Sequence, residues 1–111
     1  MNKEKLALQQ QWIREELMRC ADFWVNNGWD HENGGVYTCL DRFGKIYSTD
    51  KSVWMQGRCA WTFSYLCNVY GIRKEWLDFA KSCLDFMEDH CINREAGDRM
   101  YFTVTENDGT R

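Results

Sequence analysis

The apolar positions fall into three helical stretches separated by polar, turn-forming segments. Between residues 3 and 26, Leu6, Trp12/Ile13, Leu17, Cys20/Ala21 and Trp24 recur at intervals of three, four or seven, with Glu, Gln, Arg and Lys between them. That spacing predicts a helix, and Asn27-Gly28 is a plausible stop. After the polar stretch Asp30-His31-Glu32-Asn33-Gly34-Gly35, the run Val36-Tyr37-Thr38-Cys39-Leu40 reads as a strand. Asp41-Arg42-Phe43-Gly44 supplies a turn, and Lys45-Ile46-Tyr47 can return as the second arm of a hairpin.

A second helix is predicted from about Lys51 to Tyr70, with N-cap candidates in Ser48-Thr49-Asp50 and a stop at Gly71. Val53, Trp54, Cys59, Ala60, Trp61, Phe63, Tyr65, Leu66, Cys67 and Val69 cover nearly all its faces, the mark of a buried helix. Gln56, Arg58 and Asn68 ride on it, and an arginine on such a helix needs a partner. The third helix, about Arg73 to Cys91, is amphipathic. Its stripe is Trp76/Leu77, Phe79/Ala80, Cys83/Leu84 and Met87, set among Lys, Glu and Asp. One helix apolar all round beside one half-wet predicts an inner and an outer helical layer.

The segment Arg99 to Gly109 echoes the first hairpin at an offset of 65. Tyr37 falls on Phe102, Thr38 on Thr103, Cys39 on Val104, Asp41 on Glu106 and Gly44 on Gly109. The reading is an internal repeat of helix pair plus hairpin, with a first strand and a turn but no return strand before Arg111. Three helices cannot enclose an all-apolar one. Its outer surface is therefore expected to face water as an apolar patch, as in one section of a larger helical repeat protein.

Composition narrows the function classes. Fourteen Lys and Arg against seventeen Asp and Glu leave a net charge of −3, which argues against a nucleic-acid binder. Aromatics at 15% argue against disorder, and the absence of proline favours long helices. No apolar run reaches the ~20 residues of a membrane span. The charged start Met1-Asn2-Lys3-Glu4-Lys5 has no apolar signal core behind it, so a cytoplasmic location is expected. In that compartment the six cysteines (Cys20, Cys39, Cys59, Cys67, Cys83 and Cys91) read as small buried hydrophobes rather than disulfides. No C-x-x-C occurs, and no metal site is expected.

Candidate chemistry is sparse. His31 lies in a polar loop, and His90 sits where it favours a helix dipole. Asp41, Asp50 and Glu106 could be imagined as a glycosidase carboxylate pair, but turns and N-caps explain them more simply. Arg58 could form an ion pair with a neighbouring helix or meet a ligand. Trp54, one turn before it on the same face, could serve the core or a site.

Residues 23–66 carry a resemblance. Phe23-Trp24, the run from Asn33-Gly34-Gly35 through Thr38-Cys39-Leu40-Asp41-Arg42-Phe43-Gly44-Lys45, Thr49-Asp50-Lys51, and Trp54-Met55-Gln56-Gly57-Arg58 with Trp61 resemble the N-acylglucosamine 2-epimerase family. That family includes the proteins also called renin-binding, with cellobiose 2-epimerases and aldose–ketose isomerases as relatives. The resemblance implies an all-α fold, an (α/α)6 barrel with short β-hairpins between helices, of which residues 1–111 are the N-terminal section of a single domain, cut before the barrel closes. It implies interconversion of N-acetyl-D-glucosamine and N-acetyl-D-mannosamine at C2, in amino-sugar and sialic-acid metabolism. It further implies substrate contacts from Arg58, Trp54 and Tyr101, acid–base histidines further along the parent chain and none here, and a homodimer. No cofactor is required for this chemistry, although ATP activates some members. The alternatives are a sibling epimerase or isomerase, or a non-catalytic interaction fragment.

Overall fold

A computed structural model describes residues 2–105. Among these residues three α-helices form, α1 (Lys3–Asn27), α2 (Val53–Tyr70) and α3 (Lys74–His90). Six two- or three-residue strands surround their ends: β1 (Cys39–Leu40), β2 (Ile46–Ser48), β3 (Lys51–Ser52), β4 (Ile92–Asn93), β5 (Arg99–Met100) and β6 (Thr103–Val104). The third helix is as amphipathic as its spacing predicts. Trp76, Phe79, Ala80, Cys83 and also Phe86 are buried, while Leu77 and Leu84 on the flanks of the stripe are exposed.

The helix α2 packs on α3 and buries one stripe, Val53, Gln56, Ala60, Phe63, Leu66 and Cys67. Its opposite face exposes Trp54, Trp61, Tyr65 and Val69, the apolar patch foreseen for an inner helix without its full set of neighbours. Only the last turns of α1 reach this core, through Ala21 with Leu17, Met18, Trp24 and Val25. Lys3–Glu16 are exposed throughout, so Leu6, Trp12 and Ile13 do not become core residues as their periodicity suggested. That half is met by the end of α2, where the Arg14 guanidinium lies 5.9 Å from the centre of the Tyr70 ring, and the molecule is drawn out to 57 × 28 × 26 Å.

Other expectations shift at element ends. The N-cap of α2 is Ser52, whose Oγ accepts from the Met55 N–H; Ser48-Thr49-Asp50 lie before a strand instead. Lys51 belongs to that strand and is buried rather than opening the helix. The strand-like run from Val36 shortens to Cys39–Leu40, paired with Ile46–Ser48, because Val36 bridges back to Trp29 and Tyr37 N–H donates to Gly28 O. Asp41 does serve the turn, its carboxylate accepting from the N–H groups of Phe43 and Lys45.

The repeat shows in these closures. Tyr37 N–H bonds the carbonyl at the C-cap of α1 (Gly28 O, 2.7 Å), and Tyr101 N–H bonds the one at the C-cap of α3 (Cys91 O, 2.9 Å). Tyrosine thus matches tyrosine, one residue out of step with the offset read from the sequence. The later strand does not wait for a return partner. Thr103–Val104 pairs antiparallel with Lys51–Ser52, clipping the second closure onto the start of α2. Glu106 and Gly109 lie outside the described residues.

Of the cysteines, Cys67, Cys83 and Cys91 are buried, Cys39 and Cys59 half-buried, and Cys20 exposed; all six are free. Burial pushes the Cys91 thiol up to about 11. A hydrogen bond to Cys59, added to burial, raises Cys83 further.

Candidate functional site

The site is built on the first turns of α2, and the chain fixes that end from several directions. Val53 N–H donates to Phe102 O at 3.0 Å, and Ser52 N–H donates to Thr38 Oγ1 at 3.1 Å. Gln56, fully buried, turns its amide onto the Val36 backbone. Its Oε1 accepts from Val36 N–H and its Nε2 donates to Val36 O, both at 2.8 Å. A neutral amide satisfying both polar groups of one peptide is a strong seat for a loop crossing a core.

Beside it lies a buried ion pair. Lys51 Nζ donates to Asp30 Oδ2 at 2.6 Å and to Gly34 O at 2.8 Å, between the rings of Tyr37 and Phe86. The other carboxylate oxygen of Asp30 accepts from the N–H groups of Glu32 and Asn33. Burial alone would raise the Asp30 carboxyl. The Lys51 ammonium and the two backbone donors outweigh it and hold the group below its ordinary value. Gly35 completes the seat: at φ +79° its N–H donates to Ser82 Oγ, and a Cβ would lie 2.6 Å from Gln56 Oε1. This lock was not readable beforehand. Gln56 stood out as a polar residue on an apolar helix, but nothing in the spacing linked Asp30 to Lys51.

With its start held, α2 presents Trp54 and Arg58 one turn apart, both exposed, the guanidinium 4.9 Å from the centre of the indole. Among the described residues no carboxylate pairs with Arg58, so the ion-pair explanation for this arginine finds no partner. A cleft of about 420 Å³ is lined by Trp54, Gly57, Arg58 and Trp61. A second, of about 200 Å³, lies on the other flank of Arg58, between Trp24, Tyr37, Met55 and Phe63. Tyr101 lines neither cleft. It is half-buried against the small core of Val53, Phe86, Cys91 and Val104.

The histidines stand apart from this face. His31 stacks on Trp29, and His90 lies against Phe86 at the end of α3. No group of three or more His, Cys, Asp or Glu able to hold a metal occurs among the described residues. No described helix is long and apolar enough to cross a membrane. What the α2 face offers is a flat aromatic surface beside a cation that no carboxylate neutralises among the described residues. The first suits the C–H face of a sugar ring, and the second suits an oxygen that gains negative charge.

Helices in two layers, closed at one end by short hairpins beneath an aromatic–arginine face, define a section of an α/α toroid. Residues 34–111 match the family described as N-acylglucosamine 2-epimerase (GlcNAc 2-epimerase). The chain belongs to that family. It is 34% identical over 110 residues to the N-acylglucosamine 2-epimerase of Rattus norvegicus, covering 96% of this chain and 26% of that protein. The crystal structure of a sugar epimerase from a ruminal bacterium superposes with a TM-score of 0.69 at 31% identity, over 81% of this chain and 22% of that one. The cellobiose 2-epimerase of Spirochaeta thermophila DSM 6192 reaches 0.75 at 23% identity, over 99% of this chain and 27% of its own, a likeness of fold. The chain spans about a quarter of the length of these relatives, and its architecture is that part of an (α/α)6 barrel.

Proposed function

We propose that this chain is the sugar-positioning section of a carbohydrate 2-epimerase that interconverts N-acetyl-D-glucosamine and N-acetyl-D-mannosamine. The observation that carries the reading is the Trp54–Arg58 pair, exposed on a helix whose start is rigidly held and facing a ligand-sized cleft. In such a reaction the pyranose opens, a base removes the C2 proton, and charge gathers on the enediolate oxygen. Reprotonation from the opposite face inverts C2. Arg58 stabilises that oxygen, and Trp54 packs on the sugar carbons. Tyr101 takes a sugar contact only in a rearranged or completed site. The step is redox-neutral and needs no cofactor, which leaves ATP the role of an activator of the parent enzyme. Partners are the amino sugar and a second subunit of the parent, in a cytoplasmic setting within amino-sugar and sialic-acid metabolism.

The proton-transfer groups lie outside this chain, since neither histidine shares the Arg58 clefts. The chain alone is therefore inactive while retaining sugar contact. In D2O, N-acetyl-D-glucosamine incubated with it shows no C2 deuteration by NMR, while in H2O the same sugar shifts the Trp54 indole N–H signal. Arg58→Ala weakens that response about tenfold. Turnover by the chain, or a response unchanged in Arg58→Ala, overturns the assignment.

The length of the stripe favours a second reading, a disaccharide 2-epimerase. Trp54 to Tyr65 runs ~16 Å along the helix, longer than one ring. Tighter binding of cellobiose than of N-acetyl-D-glucosamine selects it, and a ketose product from the parent enzyme selects an aldose–ketose isomerase.

A further inference from the structure

We propose that Gly57 is the specificity-determining position of this face. Its bare backbone forms the floor of a cleft that seats the C–H face of one pyranose ring between the indoles of Trp54 and Trp61. The inference rests on the sugar-binding reading above and names the part of the site that senses ligand shape.

Trp54, Gly57, Arg58 and Trp61 stand at i, i+3, i+4 and i+7, so they share one face of α2, and together they line the cleft of about 420 Å³. A glycine inside a helix is unfavourable, because it gains backbone freedom when unfolded and shields nothing when folded. Two structural reasons commonly require one, a positive φ or the close approach of a neighbouring element. Neither holds here. Gly57 is absent from the residues with positive φ. Among the described residues a Cβ at this position would meet only Met87, its Cε at 3.8 Å and its Sδ at 4.0 Å, both ordinary contacts. The fold would accept alanine and gain helix stability from it.

The missing side chain therefore matters on the cleft side. One wall is stiffened, since Trp61 stacks on Tyr65 with ring centres 5.0 Å apart and planes within 7°. The other wall is Trp54 with the Arg58 guanidinium over its ring. Between them the floor is peptide, low enough for a ring to lie against both indoles while its edge oxygens accept from Arg58. A methyl group on that floor lifts the ring away from the walls and the cation together.

The test is a titration of the chain with N-acetyl-D-glucosamine, read on the assigned indole N–H signals of Trp54 and Trp61. Gly57→Ala and Gly57→Gln are titrated in parallel, with thermal melts of each. The expected result is opposite signs. Gly57→Ala raises the melting temperature by about 4 °C and weakens binding about tenfold, and Gly57→Gln abolishes binding while remaining helical. A Gly57→Ala variant that binds as tightly as the parent chain overturns the role of Gly57 and leaves the sugar site standing. Loss of stability and binding together in Gly57→Ala makes the glycine a packing residue and also overturns it. Silence of both indoles in the unsubstituted chain removes the sugar reading of the face, and this inference with it.

Discussion

At the scale of single residues, the most demanding feature is a charge pair sealed from water. Lys51 and Asp30 are both essentially without solvent exposure, yet each is held by more than the other, Lys51 by Gly34 O and the faces of two rings, Asp30 by two backbone N–H groups. Removing one partner strands the other in a low-dielectric site. Lys51→Met is expected to cost ~3–5 kcal/mol by chemical denaturation, and the double variant Asp30→Asn/Lys51→Met to recover part of that loss. The Asp30 carboxyl is held below its ordinary 3.8 when folded, so its contribution is complete above that value. It disappears as pH falls through the lower folded value. Melting temperature is expected to be flat from about pH 7 to 5 and to drop below about pH 4, with the drop reduced in Asp30→Asn. Thiol accessibility follows burial in the same way. Cys20 reacts first with an aromatic disulfide reagent, while Cys67, Cys83 and Cys91 wait for unfolding.

Among the elements, the helices differ in what holds them. The pairing of α2 with α3 is continuous, whereas α1 is anchored by its last turns and exposed over Lys3–Glu16. Amides of that first half are expected to exchange with solvent orders of magnitude faster than those of Ala60–Leu66, as hydrogen-exchange mass spectrometry can show. Helical periodicity made all three helices legible, because 17 to 25 residues carry many repeats of a 3.6-residue period. Two-residue strands carry no period at all, so β3, β4 and β5 could not be read. Their positions are set by where Lys51 finds Asp30 and where Tyr101 finds Cys91. The same limit separates Arg58 and Trp54 from Tyr101. The first two share one helix face, so sequence spacing places them together, while Tyr101 depends on a loop closure that leads it to a different core.

For the molecule as a whole, the exposed α2 face is the dominant surface property. Trp54, Trp61, Tyr65 and Val69 leave a contiguous apolar strip such as soluble monomers seldom carry. The chain is expected to bind hydrophobic dye and to associate as its concentration rises. Trp61→Lys/Tyr65→Lys should suppress both without lowering the melting temperature, since neither side chain belongs to the buried stripe. Association unaffected by that double change would place the contact on the exposed half of α1 instead.

The short pairing of Thr103–Val104 with Lys51–Ser52 sets an order of assembly. The helix that carries Trp54 and Arg58 is written early in the chain, but its first peptide is tied by a carbonyl made almost fifty residues later, that of Phe102. During synthesis α2 can coil and find α3 before that tie exists, yet its leading turn stays unlatched until the second closure emerges. The helix pair is thus finished by the closure that follows it, and the ligand-facing end of α2 is set one step behind the growing chain.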